Sequence, residues 1–92
     1  MNVTVNYLAQ LKQAARISSE NIVLENPCSV QELVTQVAEK HGEPLRSFLL
    51  SSTGSLSNSI LVLVGDNQIH WNQPMPVKEG DVISLMSPIA GG

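Results

Sequence analysis

The chain has 92 residues, of which 42% are hydrophobic and 14% charged, and its formal net charge is −3. This length suits one small domain, and the composition is that of a globular protein rather than a disordered tail or a membrane protein. Its five basic residues are scattered along the chain, whereas nucleic-acid binding needs clustered Lys and Arg. We therefore expect a single domain with no nucleic-acid partner.

No targeting segment is recognisable in the sequence. The N-terminus lacks the basic start, apolar block and cleavage site of a signal peptide, and no apolar run approaches the ~20 residues that span a bilayer. The single cysteine, Cys28, cannot form an internal disulfide, which suits a reducing compartment. These features predict a cytoplasmic protein that does not contact a membrane.

The first third of the chain predicts two strands. In "NVTVNYLAQL", Val3, Val5 and Tyr7 alternate with polar residues, which indicates a half-buried strand. The β-branched run "NIVLE" at 21–25 predicts a second strand, paired with the first as a hairpin across a loop around "ARISSE". The "NP" that follows ends this strand.

A helix over about 30–41 is the most strongly signalled element. Ser29 and Glu32 have the S-x-x-E spacing of a capping box. Apolar residues at i, i+3, i+4, i+7 and i+8 form one stripe, namely Val30, Leu33, Val34, Val37 and Ala38. Lys40 and His41 lie in the last turn, where positive charge suits the helix dipole, and Gly42 can cap the helix.

The remaining elements are shorter. "LRSFLL" at 45–50 predicts a helical turn that carries Leu45, Phe48 and Leu49 under the sheet edge. The serine-rich segment 51–59 predicts a mobile loop.

Three strands complete the predicted order β-β-α-β-β-β. "ILVLV" at 60–64 is apolar throughout, and the turn "GDN" joins it to "QIHW" at 68–71 as a hairpin. "VISLM" at 82–86 is the last strand. We therefore expect an α+β fold with a mixed sheet of four to five strands packed on one main helix.

The predicted sheet has more apolar surface than one helix can cover. Alternation puts Val62 on one face and Leu61 and Leu63 on the other, and the last strand divides in the same way. Either loop 45–59 folds over the second face, or a central strand is simply apolar on both sides, or the second face is a docking patch for a partner.

No group of side chains predicts catalysis or metal binding. Cys28 directly precedes the helix cap, where it could pack against Leu33 as a hydrophobic staple. His41 is expected to be solvated at the helix end, and His70 to be exposed on a strand. This spacing of one cysteine and two histidines matches no zinc pattern. We expect no bound metal or cofactor and no catalytic turnover.

The C-terminal "SPIAGG" suggests a different chemistry. A backbone carboxylate such as that of Gly92 is a poor electrophile and must be activated, for instance as an acyl-adenylate, before it can react. The five residues from Pro88 onwards can reach roughly 17 Å, enough to enter a deep channel. Gly91 and Gly92 have no Cβ to block a narrow passage, and Ile89 and Ala90 offer apolar contacts.

Four segments together resemble the MoaD/ThiS sulfur-carrier family. "EGDVISLMSPIAGG" is similar to the C-terminal signature of that family, and "LAQLKQAA" looks like the start of the molybdopterin synthase small subunit. "SVQEL" and "VKEGD" also fall where the family has them. The resemblance implies a ubiquitin-like β-grasp domain over residues 1–87, followed by a flexible Gly-Gly tail at 88–92.

The resemblance also implies a function. In this family an activating enzyme uses ATP and magnesium to adenylate the terminal glycine, which becomes a thiocarboxylate and delivers sulfur to a precursor held by a synthase large subunit. Gly92 would carry the sulfur and Gly91 would give access to it. The residues implied in partner binding are Pro88, Ile89, Ala90, Met86, Val62 and Trp71.

Two departures from the family pattern keep other interpretations open. Ser87 precedes Pro88 where the molybdopterin-type tail often has two prolines, and the long segment around 45–64 looks more like the sulfur carriers of cysteine biosynthesis. Molybdopterin synthesis is the first choice, and cysteine or another thio-metabolite is the second. The alternatives of another class are a ubiquitin-like binding module with an inert tail, and covalent attachment to protein lysines.

Overall fold

The structure, a computed structural model, describes residues 1–57 and 60–87. Within these residues the chain forms three helices and a five-stranded sheet. In chain order the elements are β1 (Asn2–Leu8), α1 (Gln10–Ala15), β2 (Ser19–Val23), α2 (Val30–His41), α3 (Leu45–Leu49), β3 (Leu61–Val64), β4 (Asn67–Gln68) and β5 (Val82–Met86).

The last strand lies in the middle of the sheet. The strand order is β2-β1-β5-β3-β4, with β5 parallel to β1 and antiparallel to β3. The β1–β2 and β3–β4 pairs are antiparallel, so the sheet is mixed. The predicted α+β class and mixed sheet are thus confirmed, and the chain runs from the centre of the sheet into its final residues.

α2 begins and ends where the sequence predicts. The Ser29 hydroxyl accepts a hydrogen bond from the Glu32 amide (3.1 Å), and the Ser29 amide donates to the Glu32 carboxylate (2.9 Å), which completes the capping box. The whole predicted apolar stripe of α2 is buried against one face of the sheet. Val5, Ile83 and Leu85 are the central sheet residues of this core.

α1 replaces part of the loop expected between the first two strands. Leu11 and Ala15 lie one helical turn apart, and both are buried in the core. Ala9 and Arg16, on either side of the helix, have positive φ angles of 53° and 68°. The helical spacing of Leu8, Leu11 and Ala15 was the available signal for this helix.

The predicted strand 68–71 is shorter and starts earlier. β4 covers only Asn67–Gln68, although the Ile69 amide still donates to the Val62 carbonyl at 3.0 Å. The side-chain Nε2 of Gln31 donates to the backbone carbonyls of Trp71 (3.0 Å) and Gln73 (2.9 Å). These bonds hold the chain on α2, so it leaves the sheet early.

The segment between α2 and β3 turns its aliphatic residues inward. Leu45 and Leu49 of α3 are fully buried, but Phe48 is 40% exposed, because adjacent helix positions point about 100° apart. The expected position of Phe48 under the sheet edge is therefore wrong. Leu50 forms an isolated bridge with Leu56, and both pack against the core. The predicted mobility of 51–59 stays a prediction.

Candidate functional site

The chain leaves the sheet at the end of β5, and we call this point the chain's exit; it lies between two other strands. Met86 pairs with Leu8 on β1 and with Leu61 on β3. Ser87, the last residue described before the terminus, is buried. The expected roles of Pro88, Ile89, Ala90, Gly91 and Gly92 lie outside the described residues, and they stay predictions.

The face of the sheet that is turned away from α2 carries no charged residue. Alternation and strand register define this outer face. Its members are Asn2, Thr4, Asn6, Leu8, Ser19, Asn21, Val23, Leu61, Leu63, Gln68, Val82, Ser84 and Met86. A partner can cover a face without charge without desolvating an ion, the costliest group to bury.

A row of adjacent apolar residues on the outer face lies at the end of the sheet from which the chain continues to residue 88. Leu8, Met86 and Leu61 are direct neighbours across three strands, and we call them the apolar row. Leu63 continues this apolar surface along β3, whereas Val82 and Val23 lie at the opposite end of the face; Leu8 is 39% and Val82 38% exposed. Leu50 is buried in the core and Leu56 packs against it, while Leu8 and Val82 stay exposed among the described residues.

The structure does not bring the three predicted docking residues together. Met86 lies on the outer face, but Val62 pairs with Leu85, points into the core and is 3% exposed. Trp71 is half-buried against the core and its carbonyl is bound by Gln31 of α2. The proposed patch of these three residues is therefore wrong as a single surface.

The outer-face residues that the prediction missed had a signal in the sequence. Leu61 and Leu63 were identified as opposite in direction to Val62, but which side α2 would cover could not be read from alternation alone. Leu8 was missed because it ends β1, and its partner in the parallel β1–β5 pair, Met86, is 78 positions away in the chain. Sequence position alone therefore does not show which residues are neighbours on the outer face.

A charged cluster joins β1, β2 and α2 on the opposite side of the sheet. One Glu20 carboxylate oxygen accepts from the Tyr7 hydroxyl and from Nε2 of His41, both at 2.5 Å, and the other accepts from the Lys40 ammonium at 2.7 Å. Tyr7 is fully buried, and the Glu20 side chain is 12% exposed. His41 is thus half-buried and bonded, so its expected solvation is wrong.

The cluster strongly favours the ionised form of Glu20. Burial alone would raise the pKa of Glu20, but the hydrogen bonds from Lys40, Tyr7 and His41 outweigh it and lower that pKa to about 2. Burial, the bond to Glu20 and its negative charge all raise the pKa of Tyr7. Each polar group of the cluster has a partner, which indicates that the cluster holds β1, β2 and α2 together rather than forming a reactive site.

The other residues that were considered for chemistry show no reactive arrangement. Cys28 is half-buried against the core, and burial together with the charge of Glu32 raises the pKa of its thiol, which disfavours the thiolate. His70 is exposed. Across residues 1–57 and 60–87, no group of three or more His, Cys, Asp or Glu could hold a metal ion.

Fold and site together define a ubiquitin-like β-grasp domain with an uncharged outer face next to its C-terminal exit. The model of the ThiS family matches residues 5–92. The chain belongs to the ThiS family, a group of sulfur-carrier and ubiquitin-like modifier proteins that act as non-catalytic carriers. Among curated proteins, none matches this sequence.

Solved structures of similar proteins support the same fold. SAMP1 from Haloferax volcanii has a TM-score of 0.85 at 20% identity, with both chains covered over 100% of their length. A BexX/CysO complex from Amycolatopsis orientalis gives 0.68 at 22% identity, covering 98% of this chain and 99% of the other.

A third similar structure is a complex of subunits 1 and 2 of molybdopterin-converting factor from Helicobacter pylori. Its TM-score is 0.60 at 26% identity, and both chains are covered completely. No helix in the described part of this chain is long and apolar enough to cross a membrane.

Proposed function

We propose that this protein is a sulfur carrier whose reacting group is the carboxylate of Gly92, the last residue of the sequence. The observation that carries the proposal is the position of the apolar row, Leu8, Met86 and Leu61, where β5 leads into the residues that end in Gly-Gly. A partner that docks on this row receives the chain end at the border of the same interface.

The chemistry begins with activation by an adenylating enzyme. A Gly92 carboxylate oxygen attacks the α-phosphorus of ATP, magnesium-bound pyrophosphate leaves, and an acyl-adenylate forms. Sulfide from a sulfur donor then attacks the acyl carbon and displaces AMP, which leaves a thiocarboxylate. The protein holds no cofactor of its own in this scheme, because ATP and magnesium belong to the activating enzyme.

The residues before Gly92 serve its delivery. Five residues, counted from Pro88, can reach roughly 17 Å when fully extended. Pro88 restricts the chain's direction at the exit, while Ile89 and Ala90 contact the walls of the partner's channel. Gly91 and Gly92 pass a narrow bore because they lack a Cβ.

We propose molybdopterin synthesis as the pathway, with the thiocarboxylate discharged at a synthase large subunit. Two observations favour it: the segment "LAQLKQAA", and the 26% identity to a structure titled as two subunits of molybdopterin-converting factor. A carrier for cysteine or another thio-metabolite is the second candidate, favoured by similarity to a CysO-containing complex.

The first experiment is the intact mass of the protein after incubation with its adenylating enzyme, ATP, magnesium and a sulfide donor. We expect a species heavier by one oxygen-to-sulfur exchange, which is absent when Gly92 is deleted. The deletion variant should still bind its partners, since the outer face is intact. An unmodified wild-type mass would favour a binding module with an inert tail, and higher-mass protein adducts would indicate lysine attachment.

The pathway needs a second measurement. The thiocarboxylated protein is incubated with the molybdopterin precursor and a synthase large subunit, and dithiolene formation is measured. Formation of the dithiolene with loss of the thiocarboxylate supports the first choice. Discharge only onto an activated serine derivative, with none onto the molybdopterin precursor, would assign the carrier to cysteine synthesis.

A further inference from the structure

Three of the five Lys and Arg side chains make no ion pair with the residues that the structure describes. Lys40 is bound to Glu20 and Arg46 to Glu39. Lys12, Arg16 and Lys78 have no such partner. The positions of these three cations make the two ends of the outer face differ in charge.

Lys12 and Arg16 lie at the end of the sheet from which the chain continues to residue 88. α1 follows Leu8 directly, and Leu8 pairs with Met86, so α1 contacts β5 at its C-terminal end. Both cations are exposed and line one shallow cleft, together with Ile17, which is 38% exposed. This end of the molecule therefore offers two free positive charges beside apolar surface.

The opposite end of the sheet is predominantly acidic. Asp66 lies in the turn between β3 and β4, which the pairing of Val64 with Ile83 places near the start of β5. Asp81 directly precedes β5, and its carbonyl accepts from the Thr4 amide at 2.9 Å. The Glu79 carboxylate accepts from the amide of residue 2 at 3.0 Å. Lys78 is the one side-chain cation in this group.

The uncharged outer face thus lies between a basic rim and an acidic rim. Charges at the border of an interface act on the approach and orientation of a partner more than on final affinity. The chain as a whole is negative, at −3, so an acidic partner surface is favoured only next to exposed cations, and at the end of the sheet near the chain's exit these are Lys12 and Arg16.

We propose that the partner surface receiving the chain end is acidic where it contacts Lys12 and Arg16, and apolar where it covers Leu8 and Met86. This inference rests on the proposed function, because it names the chemistry of the activating enzyme's docking surface. The two rims set the direction of docking. In the reversed orientation the partner's carboxylates meet Asp66 and Asp81, and the chain end points away from the active site.

Three charge reversals test the proposal, namely Lys12→Glu, Arg16→Glu and the matched control Lys78→Glu. Each changes the net charge by the same amount at an exposed side chain, but Lys78 lies at the acidic rim. The probe is the adenylating enzyme of the same organism with ATP and magnesium. The enzyme's kcat and its KM for the carrier protein are measured at low and high salt. Thermal unfolding of each variant checks that folding is unchanged.

We expect Lys12→Glu and Arg16→Glu each to raise KM about tenfold at low salt with kcat unchanged. The difference should shrink at high salt, because exposed charges are screened. Lys78→Glu should stay within about twofold of the wild type.

Two results overturn the inference: equal KM values for all three variants, or a lower KM for Lys12→Glu and Arg16→Glu. A wild-type protein that is not adenylated at all contradicts the proposed function instead, so the two failures are distinguishable.

Discussion

Both faces of the sheet carry apolar residues, but one face is buried in the core and the other is only partly buried. Leu85 and Met86 are adjacent in β5, yet Leu85 is fully buried under the helices and Met86 is only half-buried on the outer face. The core face is covered by α2, whereas no helix of the described residues covers the outer face. An apolar strand residue thus stabilises the fold on one face and remains available to a partner on the other.

The outer face is itself divided. Its β1 and β2 part is mostly polar, with Thr4, Asn6 and Asn21, and its apolar residues there are Leu8 and Val23 at opposite ends of the sheet. On β3 and β5 it carries Leu61 and Met86. Apolar residues that are neighbours across three strands therefore occur beside the chain's exit, where a partner that binds the chain end also makes contact.

Truncating the core face should have the largest effect. We expect Leu85→Ala to destabilise the protein by about 3 kcal/mol, because it removes buried methyl groups and leaves a cavity. Met86→Ala should cost less than about 1 kcal/mol, since its side chain is already partly hydrated. Urea unfolding measures both variants. Equal losses would contradict the assignment of the two faces.

The Glu20 cluster should give the core side an acid dependence. The pKa of Glu20 is lowered from 4.5 to about 2 in the folded protein. Above pH 4.5 the carboxylate is ionised in both states and its contribution is complete. As the pH falls from 4.5 to 2, the unfolded state binds the proton first, and about 2 kcal/mol of stability is lost.

Urea unfolding at several pH values tests this dependence. Glu20→Gln should lower stability at neutral pH and flatten the profile between pH 4.5 and 2. Glu25→Gln is the matched control, because it removes one exposed acidic charge without breaking the cluster. A wild-type slope that survives in Glu20→Gln would assign the acid dependence to other carboxylates.

A charge on the apolar row should weaken partner binding. We expect Met86→Asp to lose at least tenfold, or about 1.4 kcal/mol, in affinity for the adenylating enzyme, because the carboxylate must be desolvated in the interface. Asn21→Asp, on the polar part of the same face, is the control. Calorimetric titration measures both, and urea unfolding checks that each variant folds. Equal affinities would move the interface off the apolar row.

Removing the α2 cap should have the smallest effect of these changes. Ser29→Ala breaks the capping box and should cost about 1 kcal/mol of stability, because the Glu32 amide loses the hydroxyl that accepts its hydrogen bond. Thermal unfolding measures this loss, and Ser52→Ala in the exposed loop is its control. Partner affinity should not change in Ser29→Ala. A drop in affinity without a drop in stability would place the start of α2 in the interface.

Much of the fold was predictable because its signals are local. The capping box and the apolar stripe lie within about three helical turns, so the bounds of α2 follow from spacing alone. β1 and β5 likewise follow from period-two alternation. α1 was missed although Leu11 and Ala15 have helical spacing, because six residues carry little pattern.

The candidate site was less predictable, because it depends on register between distant strands. Met86 was identified, but its neighbours Leu8 and Leu61 come from β1 and β3. Val62 was assigned to the wrong face, since alternation separates two sets of residues without saying which set the helices cover. His41 was misplaced because its partner Glu20 lies 21 positions earlier in the chain.

Local order along the chain specifies α2, the alternating strands and the Gly-Gly end, because each depends on residues that are close in sequence. Only the tertiary structure places β5 between β1 and β3, and thereby puts Leu8 beside Met86 and opens an uncharged face beside the chain's exit. The physical reason is that a strand can bury either face. Long-range pairing and the packing of α2 decide which face becomes core and which remains for a partner.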